Sequence, residues 1–210
     1  MNALIVVDVQ NDFLPGGSLA VPDGQAVIPI ANAAMENAKR SGSIVVATQD
    51  RHPRNHGSFA SQHENADVGS VIELDGLDQV LWPDHCIADT PGVAFPEDLR
   101  TDFIDRVFPK GGDPMVDSYS GFFDNGRRHS TGLAEFLRDR GVTSVTVLGL
   151  ATDYCVKFTA LDAAAEGFDT TLLLDGCRGV NLNPGDVDAA VAELRDHGVH
   201  IKRVEETNQC

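Results

Sequence analysis

The chain is short of cysteine, of basic residues and of long apolar runs, and each shortage removes a class of protein. Four cysteines, Cys86, Cys155, Cys177 and Cys210, are scattered through 210 residues with no C-x-x-C spacing. That excludes a disulfide framework or a thiolate zinc cluster and makes reduced thiols the expectation. Lysine and arginine total 16 against 32 aspartates and glutamates, a formal net charge of −16. Phosphates and anionic membrane surfaces need basic side chains gathered on one face, so neither nucleic acid nor a membrane is an expected partner. A small neutral or cationic ligand suits this balance. No apolar stretch approaches the roughly 20 residues that cross a bilayer. The run Ala3 to Val7 stops at Asp8 without a basic leader or small-residue cleavage site, so it reads as a strand rather than a signal peptide, and a cytoplasmic location is expected.

What is present fits an α/β protein. With 42% hydrophobic and 23% charged residues, the length suits one domain over residues 1–210. Strand-like runs occur at Leu4 to Val7, Ile44 to Thr48, Arg106 to Phe108, Val145 to Leu150, Thr171 to Leu174 and Val199 to Val204. Helical patterns run over Gln25 to Arg40, Gly132 to Arg140, Cys155 to Glu166 and Asp186 to His197, and Gly42, Gly141, Gly167 and Gly198 stand where helices end. This alternation predicts a three-layer domain, a six-stranded and mostly parallel sheet with helices on both faces. Residues 51–104 break the pattern: they are rich in Pro, His, Asp and Gly and have no clear period. They are expected to form a loop-rich, functional insertion, since they hold His52, His56, His63, His85 and the only Trp.

Sites in such sheets lie at the carboxyl ends of the strands. Asp8, Asp50 and Lys110 close strand patterns there, and Cys155 follows VTVLGL at the start of a helical pattern. A helix N-terminus favours thiolate over thiol and can hold an oxyanion, so Cys155 is the candidate nucleophile. Cys86, beside His85, is its rival, although nothing marks it as the start of a helix. Asp8 and Lys110 supply an acid/base and a cation for a thiol-based amide hydrolysis. Asp50 and His52, two apart on an extended segment, can face one side and with a third donor such as His85 make an open site for a divalent metal. The same D-x-H spacing also suits two loop side chains bonded to each other. Phe13 and Trp82 offer flat apolar surfaces able to sandwich a small aromatic ring.

Together VVDVQNDF (6–13), TQDRHPRNHGSFASQH (48–63), LWPDHC (81–86), KG (110–111), DSYSGFFDNGRR (117–128) and GLATDYCVKFTALDA (149–163) resemble bacterial nicotinamidases of the isochorismatase-like cysteine hydrolase superfamily, over nearly the whole chain. The resemblance implies a triad of Asp8, Lys110 and Cys155. It also implies metal ligands Asp50, His52 and His85, and a cis peptide before Ala151 that turns its N–H toward that of Cys155 as an oxyanion hole. Phe13 and Trp82 match ring-contacting positions, and Tyr119 joins them as a further pocket residue. Whether His56, His63 or Glu64 also reaches the metal stays open, with His56 favoured as a residue that steadies the loop.

The implied reaction is hydrolysis of nicotinamide to nicotinate and ammonia through a cysteine thioester, with pyrazinamide also accepted. One divalent ion, zinc foremost with iron or manganese acceptable to the same donors, is implied at the pyridine nitrogen end of the substrate. A metal-free amidohydrolase acting on carbamoyl or ureido substrates is the alternative. It would keep Asp8, Lys110 and Cys155 but have no use for Asp50, His52 and His85 together. A homo-oligomer is left open.

Overall fold

Strand β1, Asn2–Val7, is buried from Ala3 onward, as a strand covered on both faces must be. The computed structural model describes residues 1–204. Cys210 lies outside them, as does the end of the 1–210 domain range. After β1 come α1 (Val27–Arg40), β2 (Ile44–Asp50), β3 (Val71–Leu74), β4 (Leu77–Val80), β5 (Arg106–Lys110), α2 (Leu133–Asp139) and β6 (Ser144–Leu150). A π-helical turn, Thr152–Val156, then leads into α3 (Lys157–Ala165), followed by β7 (Asp169–Arg178), α4 (Asp186–Asp196) and β8 (His200–Lys202).

Six strands form one sheet in the order β5-β2-β1-β6-β7-β8. Each described pairing in it is parallel, in keeping with the mostly parallel sheet expected. Right-handed crossovers then place α1 on one face and α2, α3 and α4 on the other, because the chain moves toward β5 after β1 and toward β8 after β5. Helices α3 and α4 touch each other, and Arg138 of α2 donates to the carbonyl of Glu166 beyond α3. Helix α1 buries Val27, Ile28, Ala31 and Met35, a stripe at helical spacing. Burying each large aliphatic side chain of the core is worth about 1.5–3 kcal/mol.

All four helices end alike. The N–H groups of Gly42, Gly141, Gly167 and Gly198 return to Lys39, Arg138, Ala164 and Arg195. The next residues, Ser43, Val142, Phe168 and Val199, bond to Ala38, Leu137, Ala163 and Leu194. This is the Schellman closure, which needs a left-handed residue at the turn, and all four glycines have positive φ.

Residues 51–104 are less irregular than their composition implies. β3 and β4 pair as an antiparallel hairpin around Asp75 and Gly76, both with positive φ. Asp-Gly is the residue pair a two-residue hairpin turn prefers. β5 runs past Phe108 through Pro109 to Lys110. Its place at the sheet edge lets a proline, which lacks an N–H, sit in the strand.

Candidate active site

The parallel sheet delivers Asp8, Asp50, Lys110 and Cys155 to one end of neighbouring strands β1, β2, β5 and β6. Asp8 immediately follows β1 with φ +47° and is fully buried. Thr48 Oγ1 donates to its Oδ1 at 2.6 Å. Lys110 Nζ, also buried, donates to Asp50 Oδ1 at 2.5 Å, to the carbonyl of Ser118 at 2.6 Å and to Cys155 Sγ at 3.4 Å. Those three bonds use every N–H of the ammonium. Its 2.9 Å approach to Asp8 Oδ2 is therefore an ion contact, and Oδ2 is left without a hydrogen-bond donor. Sγ of Cys155 and a carboxylate oxygen of Asp8 lie within 4.8 Å of each other.

Cys155 does not open an α-helix. It sits within the π-helical turn, closed by Val156 N–H to the carbonyl of Ala151, and the Leu150–Ala151 peptide before the turn is cis. Nor does this site favour thiolate at rest, as the sequence led one to expect. Burial pushes the thiol well up, Lys110 opposes that, and Asp8 and Asp50 add to it. Burial raises Asp8 as well, against the pull of Lys110. Burial alone would lower Lys110, but Asp50 and Asp8 hold it well above its ordinary value. The resting site thus pairs a protonated thiol with a carboxylate of raised proton affinity and a fixed ammonium, a set able to move one proton between sulfur and oxygen.

Asp50, which Lys110 holds, also converges with His52 and His85, their donor atoms lying within 4.8 Å of one another. Nδ1 of His52 meets the carbonyl of Gly111 at 2.8 Å and Nδ1 of His85 that of Pro83 at 2.8 Å. Each carbonyl fixes the proton on Nδ1 and leaves Nε2 as a bare lone pair. His52 Nε2 is buried without a partner, 3.8 Å from Asp50 Oδ2. Burial drives the pKa of His52 down to about 3, which keeps that lone pair available. Gly111 permits this contact, because a Cβ there would collide with the His52 ring and its φ is +70°. A buried carboxylate and two imidazoles, each held through Nδ1 by a backbone carbonyl, are donors suited to a divalent cation. Three buried carboxylates, Asp8, Asp50 and Asp117, stand around one ammonium. The two negative charges in excess when all are ionised are what one such cation would neutralise.

A pocket of about 30 Å³ is lined by Asp50, His85, Phe13, Trp82, Tyr119, Ala151 and Cys155, all singled out from the sequence, and by Leu19, Asp117, Tyr154 and Val180, which were not. Asp8, Lys110 and His52 stand behind that lining. Tyr119 Oη accepts from Trp82 Nε1 at 3.2 Å and Gln79 Nε2 at 3.1 Å, and Tyr154 packs edge-on to Trp82. Asp117 Oδ1 lies 4.0 Å from His52 Nε2. The DSYSGFF motif contained this carboxylate, but nothing local to the motif says it turns inward. Tyr154 carried a signal in its position next to Cys155.

Among the undecided residues, His56 packs against His52 with the rings tilted by 55° and their centroids 4.4 Å apart. Its Nδ1 accepts the Ser58 N–H at 3.1 Å, and His52, His56 and Asp117 form a second close group of metal-type donors. His63 Nε2 meets the carbonyl of Gly57 at 2.7 Å and Glu64 is exposed; neither is among those donors. Cys86, the rival thiol, is buried, outside the pocket lining, with burial raising it well up.

The isochorismatase domain family matches residues 2–206, and the chain belongs to the isochorismatase family. Within it, the chain is 49% identical over 199 residues to the nicotinamidase of Escherichia coli (strain K12), covering 95% of this chain and 93% of that one. The solved structure of an Acinetobacter baumanii nicotinamidase and pyrazinamidase superposes with a TM-score of 0.93 at 42% identity, over 98% of this chain and 97% of the other. A pyrazinamidase of Pyrococcus horikoshii, solved in complex with zinc, superposes with a TM-score of 0.77 at 38% identity, over 96% and 98% of the two chains.

Proposed function

We propose that the chain is an amidohydrolase that converts nicotinamide to nicotinate and ammonia and also accepts pyrazinamide. The observation that carries this reading is that one pocket is lined both by Cys155 and by the Asp50 and His85 pair, so a single small ring can meet a nucleophile at one edge and a metal site at the other. Similarity to nicotinamidases over nearly the whole chain supports it. A metal-free relative acting on carbamoyl substrates would need no bare imidazole lone pairs.

The chemistry follows from the geometry. Asp8 Oδ2 takes the proton of Cys155 as Sγ bonds to the carboxamide carbon. The backbone N–H groups of Ala151 and Cys155 hold the oxyanion, and Lys110 keeps its charge beside sulfur and carboxylate throughout. The C–N bond breaks as Asp8 returns the proton to nitrogen, and ammonia leaves a thioester. A water then gives a proton to Asp8 and attacks the thioester carbon, the C–S bond breaks, Asp8 returns that proton to sulfur, and the acid leaves as nicotinate, its remaining proton passing to solvent. Phe13, Trp82 and Tyr119 hold the ring. Asp50, His52 and His85 would hold one divalent ion, zinc being our assignment from the donor set, and when bound it supplies a Lewis acid that anchors the pyridine nitrogen.

Among the described residues no helix is long and apolar enough to cross a membrane. We place the enzyme in the cytoplasm on the three free, buried thiols among the described residues. The test is ammonia release from nicotinamide before and after chelation, with metal content measured on the same sample. The expected result is turnover, one divalent ion per chain, and a raised KM after chelation. No release from nicotinamide by metal-loaded protein would overturn the assignment.

A further inference from the structure

The edge of β2 that carries Asp50 is not completed by a strand. β1 pairs with β2 only as far as Val6 opposite Ala47, after which the chain turns away through Asp8 in a left-handed conformation. β2 continues to Asp50, whose other neighbour is Lys110 of β5. The N–H and C=O of Asp50 on the vacated side would be orphans in a buried site, where an unpaired backbone group is costly. The Gln10 side chain takes both. Its Oε1 accepts the Asp50 N–H at 2.8 Å and its Nε2 donates to the Asp50 carbonyl at 2.8 Å. The second N–H of the amide goes to the carbonyl of Val93 at 2.9 Å, which Gln49 Nε2 also reaches at 2.9 Å. Gln10 is fully buried and none of its polar atoms is idle. It touches neither Sγ nor the imidazoles, and its bonds all serve to hold backbone.

We infer that Gln10 is a positioning residue for the metal site: its primary amide replaces the missing strand and fixes the backbone from which the Asp50 carboxylate reaches between Lys110 and His52. The inference rests on the metal reading above. Only a primary amide of this length presents one acceptor and two donors in the plane required. A carboxylate at position 10 would set a negative oxygen against two carbonyls, and a thioether would fill the space with no bonds at all. Because Gln10 stands two residues after Asp8 and hangs on the same turn, one short segment sets both the proton acceptor and the metal-bearing strand end.

The test is zinc affinity of Gln10→Met, measured by competition with a chromophoric chelator, together with the visible absorption of the cobalt(II)-loaded protein and the thermal midpoint. Partners that orient a ligand typically govern 10–100-fold in metal affinity. The expected result is zinc binding weakened about 10–100-fold and an altered cobalt spectrum in a protein that still folds. Should Gln10→Met not fold, Gln10→Asn, which keeps the amide but falls one methylene short, carries the same expectation. Wild-type protein that binds zinc and a variant of equal affinity and identical spectrum would overturn this inference alone. A wild type that takes up no metal would overturn the metal reading and this inference with it.

Discussion

The two ends of the pocket are built on opposite principles. At the sulfur end the ammonium's donors are all placed: Lys110 directs its N–H groups to Asp50, Ser118 and Cys155 and leaves Asp8 Oδ2 without a hydrogen-bond donor. At the imidazole end the groups are held from behind and left bare in front, His52 and His85 being fixed through Nδ1 to carbonyls with Nε2 of His52 unpartnered. A site complete in itself can move a proton, whereas one that ends in lone pairs awaits a ligand. Lys110 and Asp50 belong to both ends, so the chemistry and the anchoring share one ion pair.

The comparison predicts a split between kcat at one end and KM at the other. The largest effect belongs to Cys155→Ala, expected to lower kcat by on the order of 10⁵-fold while metal content and thermal midpoint stay close to wild type. Measurable wild-type turnover in that variant would remove sulfur from the mechanism. Asp8→Asn comes next, with a loss of about 10²–10⁴-fold and a changed pH profile. Asp8 must be ionised to accept the thiol proton, so kcat/KM falls as pH drops through its pKa. Burial raises that pKa, and the acid limb therefore lies above the ordinary carboxylate range. Rates measured from pH 4 to 8 should show the limb in wild type and lose it in Asp8→Asn; a limb that persists unchanged belongs to another group.

How far the two ends could be read from the sequence differs in the same way. Regular elements were legible because their signals are local: the four helix-ending glycines close Schellman turns, and Asp8, Asp50, Lys110 and Cys155 stand at strand ends. The triad and the three metal-type donors came through motif resemblance, and they meet at the expected end of the sheet. Local pattern failed where tertiary context overrides it. Pro109 hid the end of β5 because edge position cannot be seen in sequence, and the Asp75-Gly76 turn was passed over inside a stretch with no clear period. Asp117 and Gln10 act through groups 38 to 83 residues away, a distance no window spans. The thiolate expected from a helix N-terminus was a local argument too, and burial beside two carboxylates outweighs it.

The smallest predicted effect tests the wall that joins the two ends. Tyr119 Oη accepts from Trp82 and from Gln79, and the Gln79 amide also reaches Asp117 Oδ2 at 3.3 Å, so the phenol links the ring-binding surface to the imidazole end. In Tyr119→Phe the aromatic surface survives, but the indole N–H of Trp82 loses its acceptor and the Gln79 amide loses one of its partners. Leaving a buried donor unpaired costs about 1–3 kcal/mol, equivalent to a fall in thermal midpoint of about 2–12 °C for a chain of this size. Trp82 is then less firmly oriented against the ring. KM should rise a few fold with kcat held, since the phenol contacts neither Sγ nor the Asp8 carboxylate. Burial keeps the phenol protonated, so the difference should not vary with pH across the working range. A kcat that falls more than tenfold at constant KM would mean that Tyr119 serves the sulfur end instead, and the division of labour between the two ends would have to be redrawn.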